Sequence, residues 1–146
     1  MSAKPISLRL LRSAVTATCL SILGTVVLYV LARGLGSPLR LVSSGRTLTV
    51  SAGSVVAFSI LGSLAGLVVA MMATHSTRPR TVFFAIAGAG TTLSLLGPIT
   101  AAPFRTAVWL VPMHLVVGAA ALSLLGRSLP SKVPRSGVSD FSGANA

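Results

Sequence analysis

His114 is the one Asp, Glu, His, Lys or Arg residue that lies inside a long apolar run of this sequence. An ionisable group within a membrane is costly and is a functional candidate for that reason. An imidazole there could bind a ligand or relay a proton. The structural alternative is a neutral ring that donates a hydrogen bond to Thr91, Thr92 or Ser94 of the preceding run, or to a carbonyl freed by Pro112.

The other reactive residues do not form a catalytic or metal-binding set. Cys19 is the single cysteine, so the chain has no intrachain disulfide and no multi-cysteine metal site. His75 lies at the end of an earlier apolar run, and the helical rise separates it from His114 by about 18 Å, too far for both to bind one iron. Asp140 is the only acid, so no carboxylate orients His114 as in a hydrolase triad. We therefore predict no enzyme activity, no metal and no cofactor.

The composition indicates a lipid environment for these residues. The chain has 146 residues, of which 53% are hydrophobic and 9% are charged, against about 25% charged in a soluble domain. The 12 basic residues face a single acid, but they lie between the apolar runs rather than in one patch. This distribution is typical of helix ends that set membrane orientation and contact anionic headgroups. We therefore predict the lipid bilayer as a partner and no nucleic acid.

Four uncharged apolar runs predict transmembrane helices at about residues 13–32, 53–74, 81–99 and 106–126. About 20 residues at 1.5 Å each cross a hydrocarbon core of roughly 30 Å. The runs must be helical because lipid offers no hydrogen-bond partners, and four segments are too few for a barrel. The predicted class is an all-α membrane protein, an antiparallel four-helix bundle. The predicted parts are a basic segment at 1–12, the transmembrane domain at 13–127 and a disordered tail at 128–146.

The loop between the first two runs contains two short β-prone stretches. Residues 39–42 and 47–50 flank a Gly-containing turn at 43–46, a pattern that predicts a β-hairpin. A two-stranded hairpin is marginal on its own in water. We therefore expect it to lie on the helices or on the membrane surface.

The basic residues also predict an orientation. Eight of the 12 fall in the N-terminal segment, the second loop and the tail, and four fall in the first and third loops. The positive-inside rule then places both termini in the cytoplasm and the predicted hairpin outside. The predicted location is a bacterial plasma membrane.

Small residues recur at helical spacing within the apolar runs. Gly62 and Gly66 form a GxxxG pattern, Gly118 follows His114 by one turn, and Ser94 follows Gly90 by one turn. Small residues allow helices to approach closely in lipid. Such residues serve either the packing within one bundle or a dimer interface, and the pattern alone does not distinguish the two.

Two motifs near the end of the chain carry a resemblance. The stretch S-L-L-G-P at residues 94–98, followed by M-H-L-V-V at 113–117, resembles a family of small actinobacterial four-helix membrane proteins of unknown function. The resemblance covers about residues 10–129. It implies the four-span architecture and marks Pro98 and His114 as signature positions. It implies no activity.

Together these observations predict a non-enzymatic bundle that packs with itself or serves as an accessory subunit of a larger membrane complex. The alternative is a binder or carrier of a small apolar molecule, a lipid or a quinone, with His114 as its polar handle. A membrane enzyme is the third and least favoured hypothesis. The candidate polar site comprises His114, Pro98, Thr91 and Ser94.

Overall fold

The computed structural model describes residues 4–43 and 46–131. Within these ranges the helices are α1 (Lys4–Gly34), α2 (Ala52–Ala73), α3 (Pro79–Ser94), α4 (Leu96–Ala101) and α5 (Phe104–Ser128), and the strands are β1 (Arg40–Ser43) and β2 (Arg46–Thr49). Four helical segments in these ranges are long and apolar enough to cross a membrane: Leu8–Gly34, Ala52–Ala73, Pro79–Thr100 and Phe104–Ser128. The predicted class is confirmed, and the chain is a multi-pass membrane protein.

The first helix starts earlier than the predicted residue 13. It begins at Lys4, and Pro5 lies in its first turn, where the missing N–H costs no hydrogen bond. Leu10 and Ala14 are buried against the other helices, so residues 4–12 of the predicted basic segment belong to the packed helix α1. At 31 residues, α1 is about 46 Å long and exceeds the roughly 30 Å of a hydrocarbon core.

Local signals define where α2 and α3 begin. The Ser51 side chain accepts a hydrogen bond from the Ser54 amide at 3.1 Å, and the Ser51 amide donates to the Ser54 hydroxyl at 2.9 Å. This reciprocal capping box satisfies amides that have no partner within the helix. Pro79 occupies the first turn of α3, and Arg78 before it is non-helical, with φ −131° and ψ 67°. A residue before proline is disfavoured from the helical region.

The third apolar run was expected to be one helix over 81–99, but it breaks. Helix α3 ends at Ser94 and α4 begins at Leu96. Pro98 has no N–H to donate to the Ser94 carbonyl, and its ring crowds that carbonyl. The Leu95 amide instead donates to the Thr92 carbonyl at 3.2 Å, a tighter turn than an α-helix makes.

The predicted hairpin is confirmed, one residue away from the expected strand bounds. Its strands pair antiparallel with Arg40 opposite Thr49. The Val50 amide donates to the Leu39 carbonyl at 2.9 Å, and Leu39 is fully buried with a positive φ of 41°. The Arg40 amide donates to the Thr106 hydroxyl at 3.3 Å. The hairpin is therefore docked on the start of α5 rather than isolated in solvent.

We call the end of the bundle that holds the α2–α3 turn the turn end, and the opposite end the hairpin end. The apolar core cluster lies near the turn end and consists of Leu10, Ala14, Ala70, Ala73, Phe83, Ala121, Leu125 and Leu129. Helix α1 packs most extensively against α5 and then against α2. The segment Pro79–Thr100 is the least buried of the four spans, with 11% of its most apolar window covered. The predicted disordered tail, apart from residues 128–131, lies outside the described residues.

Candidate functional site

The three predicted packing glycines lie at contacts between helices of the same chain. A Cβ atom at Gly62 would lie 2.9 Å from Cγ1 of Val117, and Gly66 faces α5 one turn further along. A Cβ atom at Gly118 would overlap Cγ2 of Thr91 and lie 2.9 Å from its Oγ1. These glycines let α2 and α3 approach α5 more closely than any larger residue would allow.

His114 is half-buried on α5 and bonds within its own helix. Its Nδ1 lies 2.8 Å from the Leu110 carbonyl oxygen, so the neutral ring in this contact carries its proton on Nδ1 and leaves Nε2 as the acceptor. This partner is not one of those predicted, because an imidazole can reach the carbonyl four residues earlier without leaving its helix. Pro112 frees the carbonyl of Val108 instead. Among the described residues, no three His, Cys, Asp or Glu side chains are grouped to hold a metal ion.

The other three residues of the predicted polar site do not converge on His114. The Thr91 hydroxyl donates to the Ala87 carbonyl at 2.8 Å, and the Ser94 hydroxyl donates to the Thr91 carbonyl at 2.7 Å. Pro98 is buried in α4. Thr91 lies against Gly118, one turn along α5 from His114. Each hydroxyl already donates its one proton within its own helix, so neither can donate to Nε2 of the imidazole.

A buried polar ladder between α1 and α2 was missed at the level of sequence. Thr25 and Ser59 join the two helices through their hydroxyls at 2.9 Å. Ser21 and Ser63 lie one turn away on each helix, are 0% and 2% exposed, and their hydroxyls have no hydrogen-bond partner. The four-residue spacing of hydroxyl residues on two apolar helices was the available signal.

The ladder is weaker than its geometry suggests. Thr25 also donates to the Ser21 carbonyl at 2.6 Å, and Ser59 donates to the Val55 carbonyl at 2.8 Å. The Thr25 and Ser59 hydroxyls have one proton each. These two protons cannot fill all three contacts, which are the one between the hydroxyls and the two to carbonyls of their own helices. The bond between helices therefore competes with a bond inside one of them.

Two open clefts lie side by side at the hairpin end of α5. The first holds roughly 500 Å³, lies between α4 and α5, and has an apolar lining that includes Ile99, Val111 and Pro112. The second holds roughly 300 Å³, and its lining includes Ser37 and Arg105. Phe104 and Val108 line both clefts, and His114 lines neither.

Arginines occupy both ends of the bundle. The turn end carries Arg9, Arg12, Arg78, Arg80 and Arg127, and the hairpin end carries Arg33, Arg40, Arg46 and Arg105. Asp140 is the only acid of the chain and lies outside the described residues, so no carboxylate side chain occurs in 4–43 or 46–131. Arg80 lies over the ring of Phe84, 5.7 Å from its centroid, within the range of a cation–π contact.

Comparisons with known proteins give a family and no activity. Neither the curated proteins nor the solved structures include a significant match. One family model matches residues 6–131, which is most of the chain and includes all four spans. The predicted membership in a family of unknown function is confirmed: the chain belongs to the family of unknown function DUF6069.

Proposed function

We propose that the protein is a non-catalytic membrane bundle that associates with a second copy of itself through the outer half of its third span. In this proposal both termini face the cytoplasm of a bacterial cell, and the hairpin faces outside. The observation that carries it is a stripe on α3 and α4, formed by Gly90, Ser94 and Gly97, that the chain leaves uncovered.

Gly90 and Ser94 are four residues apart and lie on one face of α3. Gly97 follows three residues after Ser94, at the start of α4. A Cβ atom added at Gly90 or Gly97 would meet nothing within 4 Å, and Ser94 is exposed. The contrast with Gly62, Gly66 and Gly118 supports the proposal, because those glycines are filled by side chains of the same chain. A dimer interface remains available only where small residues are still uncovered.

Lipid gives a physical reason for a partner at such a stripe. Acyl chains are as apolar as leucine, so helices associate in a bilayer through close packing and hydrogen bonds rather than through the hydrophobic effect. A stripe of small residues lets two backbones approach each other. The Ser94 hydroxyl can accept a bond across that contact while it donates to the Thr91 carbonyl.

Disulfide crosslinking in membranes tests this interface directly. Cys19 is exposed on α1, so Cys19→Ser provides the background in which Ser94→Cys is the only thiol. We expect a crosslinked species of twice the chain mass on oxidation. Thr92→Cys is the matched control, because Thr92 is also exposed but points to another face of α3, and it should crosslink poorly.

A steric test follows from the open space at two glycines of α3. Gly90→Leu should lower the association constant of the dimer by about tenfold, because the leucine side chain separates the two helices. The dimer fraction at a fixed protein-to-lipid ratio should fall accordingly. Gly88→Leu is the matched control, since Gly88 also has nothing within 4 Å but lies off the stripe. Equal dimer fractions for both variants would refute the interface. A crosslink from Ser94→Cys to a different protein would support the accessory-subunit version instead.

A further inference from the structure

The cleft beside Arg105 has the features of an anion site. We call it the Arg105 cleft and define it by Leu35, Gly36 and Ser37, which directly follow α1, and by Phe104, Arg105, Val108 and Trp109 from α5. Ser37 is 8% exposed, and its hydroxyl has no hydrogen-bond partner. A buried hydroxyl without a partner is costly to the fold, so Ser37 is a candidate hydrogen-bond donor to a group bound in this cleft.

The charge around the cleft specifies the sign of that group. Arg105 is exposed, and no acidic side chain occurs among residues 4–43 and 46–131. The guanidinium therefore has no carboxylate partner in the described chain. A guanidinium binds phosphate through paired, charge-assisted hydrogen bonds, and the Ser37 hydroxyl can donate a further one.

The neighbouring apolar cleft specifies what is attached to the anion. It shares Phe104 and Val108 with the Arg105 cleft and continues along α5 to Pro112. Seven residues of helix place Pro112 about 10 Å from Arg105 along the axis, toward the middle of the span. Trp109 lies about one helical turn past Arg105 on α5 and lines the same cleft. A polar site near the helix end thus opens into an apolar groove that leads into the bilayer.

We propose that these two clefts bind one anionic phospholipid, with its phosphate on Arg105 and Ser37 and one acyl chain in the groove past Phe104 and Val108. Inorganic phosphate shares the headgroup chemistry but lacks the chain that the groove would hold. The site uses neither His114 nor the α3 stripe, so it is independent of the proposed self-association.

Trp109 allows the site to be observed directly, because it is the only tryptophan of the chain and lines the cleft. The full chain is reconstituted into phosphatidylcholine vesicles that contain, at equal mole fraction, either brominated phosphatidylglycerol or brominated phosphatidylcholine. Bromine quenches tryptophan fluorescence at short range. We expect phosphatidylglycerol to bind beside Trp109 about fivefold more tightly than phosphatidylcholine, the factor expected for one basic residue at an anionic surface.

Three variants separate the site from the general positive charge of the protein. Arg105→Gln should abolish the preference. Arg46→Gln is the matched control, because it removes the same charge at the same end from an exposed strand residue outside the cleft, and it should keep the preference. Ser37→Ala should reduce the preference with no change in charge. Circular dichroism of each variant establishes that it is folded.

Three results would overturn the proposal. Equal quenching by the two brominated lipids, or equal losses in Arg105→Gln and Arg46→Gln, would mean that only general electrostatic attraction acts on the lipid. Loss of the preference on adding inorganic phosphate, but not chloride at the same ionic strength, would assign the cleft to a free anion rather than to a lipid. Retention of the preference in phosphate, with its loss in Arg105→Gln, supports the lipid site.

Discussion

Replacing Gly118 with alanine tests the close contact between α3 and α5. The added methyl would overlap Cγ2 of Thr91 and lie 2.9 Å from its Oγ1. Thr91 has little freedom to move aside, because its hydroxyl donates to the Ala87 carbonyl at 2.8 Å and a β-branched side chain in a helix has few rotamers. The helices must therefore separate slightly, and the free energy of unfolding should fall.

The size of the effect follows from a comparison with Gly88. Overpacking a close contact costs about 1–3 kcal/mol, whereas exchanging glycine for alanine within a helix gains up to about 1 kcal/mol. Gly88→Ala meets nothing within 4 Å and should show the gain alone. The propensity terms cancel in the difference, so Gly118→Ala should be less stable than Gly88→Ala by about 1–3 kcal/mol.

The assay is reversible unfolding in mixed micelles with increasing SDS, followed by circular dichroism. Thr91→Ser provides the second half of a double-mutant cycle, because it removes the methyl that would overlap and keeps the hydroxyl. We expect the combination with Gly118→Ala to recover the part of the lost stability that comes from the overlap with Cγ2, while the close contact with the hydroxyl remains. Equal stabilities for Gly118→Ala and Gly88→Ala, or no recovery with Thr91→Ser, would refute the reasoning.

Two further predictions concern the ladder and the orientation. Thr25→Val should lower the free energy of unfolding by only about 0.6 kcal/mol, because Ser59 keeps its bond to its own helix. Thr16→Val is the control, because it removes an exposed hydroxyl on the same helix, and it should lower the free energy of unfolding by less in the same SDS titration. A loss of several kcal/mol for Thr25→Val would contradict a weak hydrogen bond between Thr25 and Ser59. In the Cys19→Ser background, Ser44→Cys should react with an impermeant thiol reagent on intact cells and Ser76→Cys should not. The reverse pattern would invert the orientation.

The sequence by itself determined the class of the protein and the approximate positions of its four spans. Lipid leaves the backbone no partners outside the chain, so uncharged runs of about 20 residues must form helices. The hairpin could also be predicted from the sequence, because its Gly-containing turn and its β-prone flanks are local signals. The break between α3 and α4 was readable in principle as well: Pro98 disrupts the helix four residues earlier, at Ser94.

Only the tertiary structure decided which side chains meet. Gly62 and Gly90 look alike in sequence, yet one is filled by Val117 and the other faces open space. The partner of His114 could not be predicted because several carbonyls and hydroxyls at similar spacing compete for one ring. Ser37 and Arg105 share a cleft although the hairpin and three helices separate them along the chain. Large apolar side chains are exposed on every span, so apolar periodicity does not define the inward face of these helices. Their rotation and separation depend on the summed fit of small side chains across several contacts.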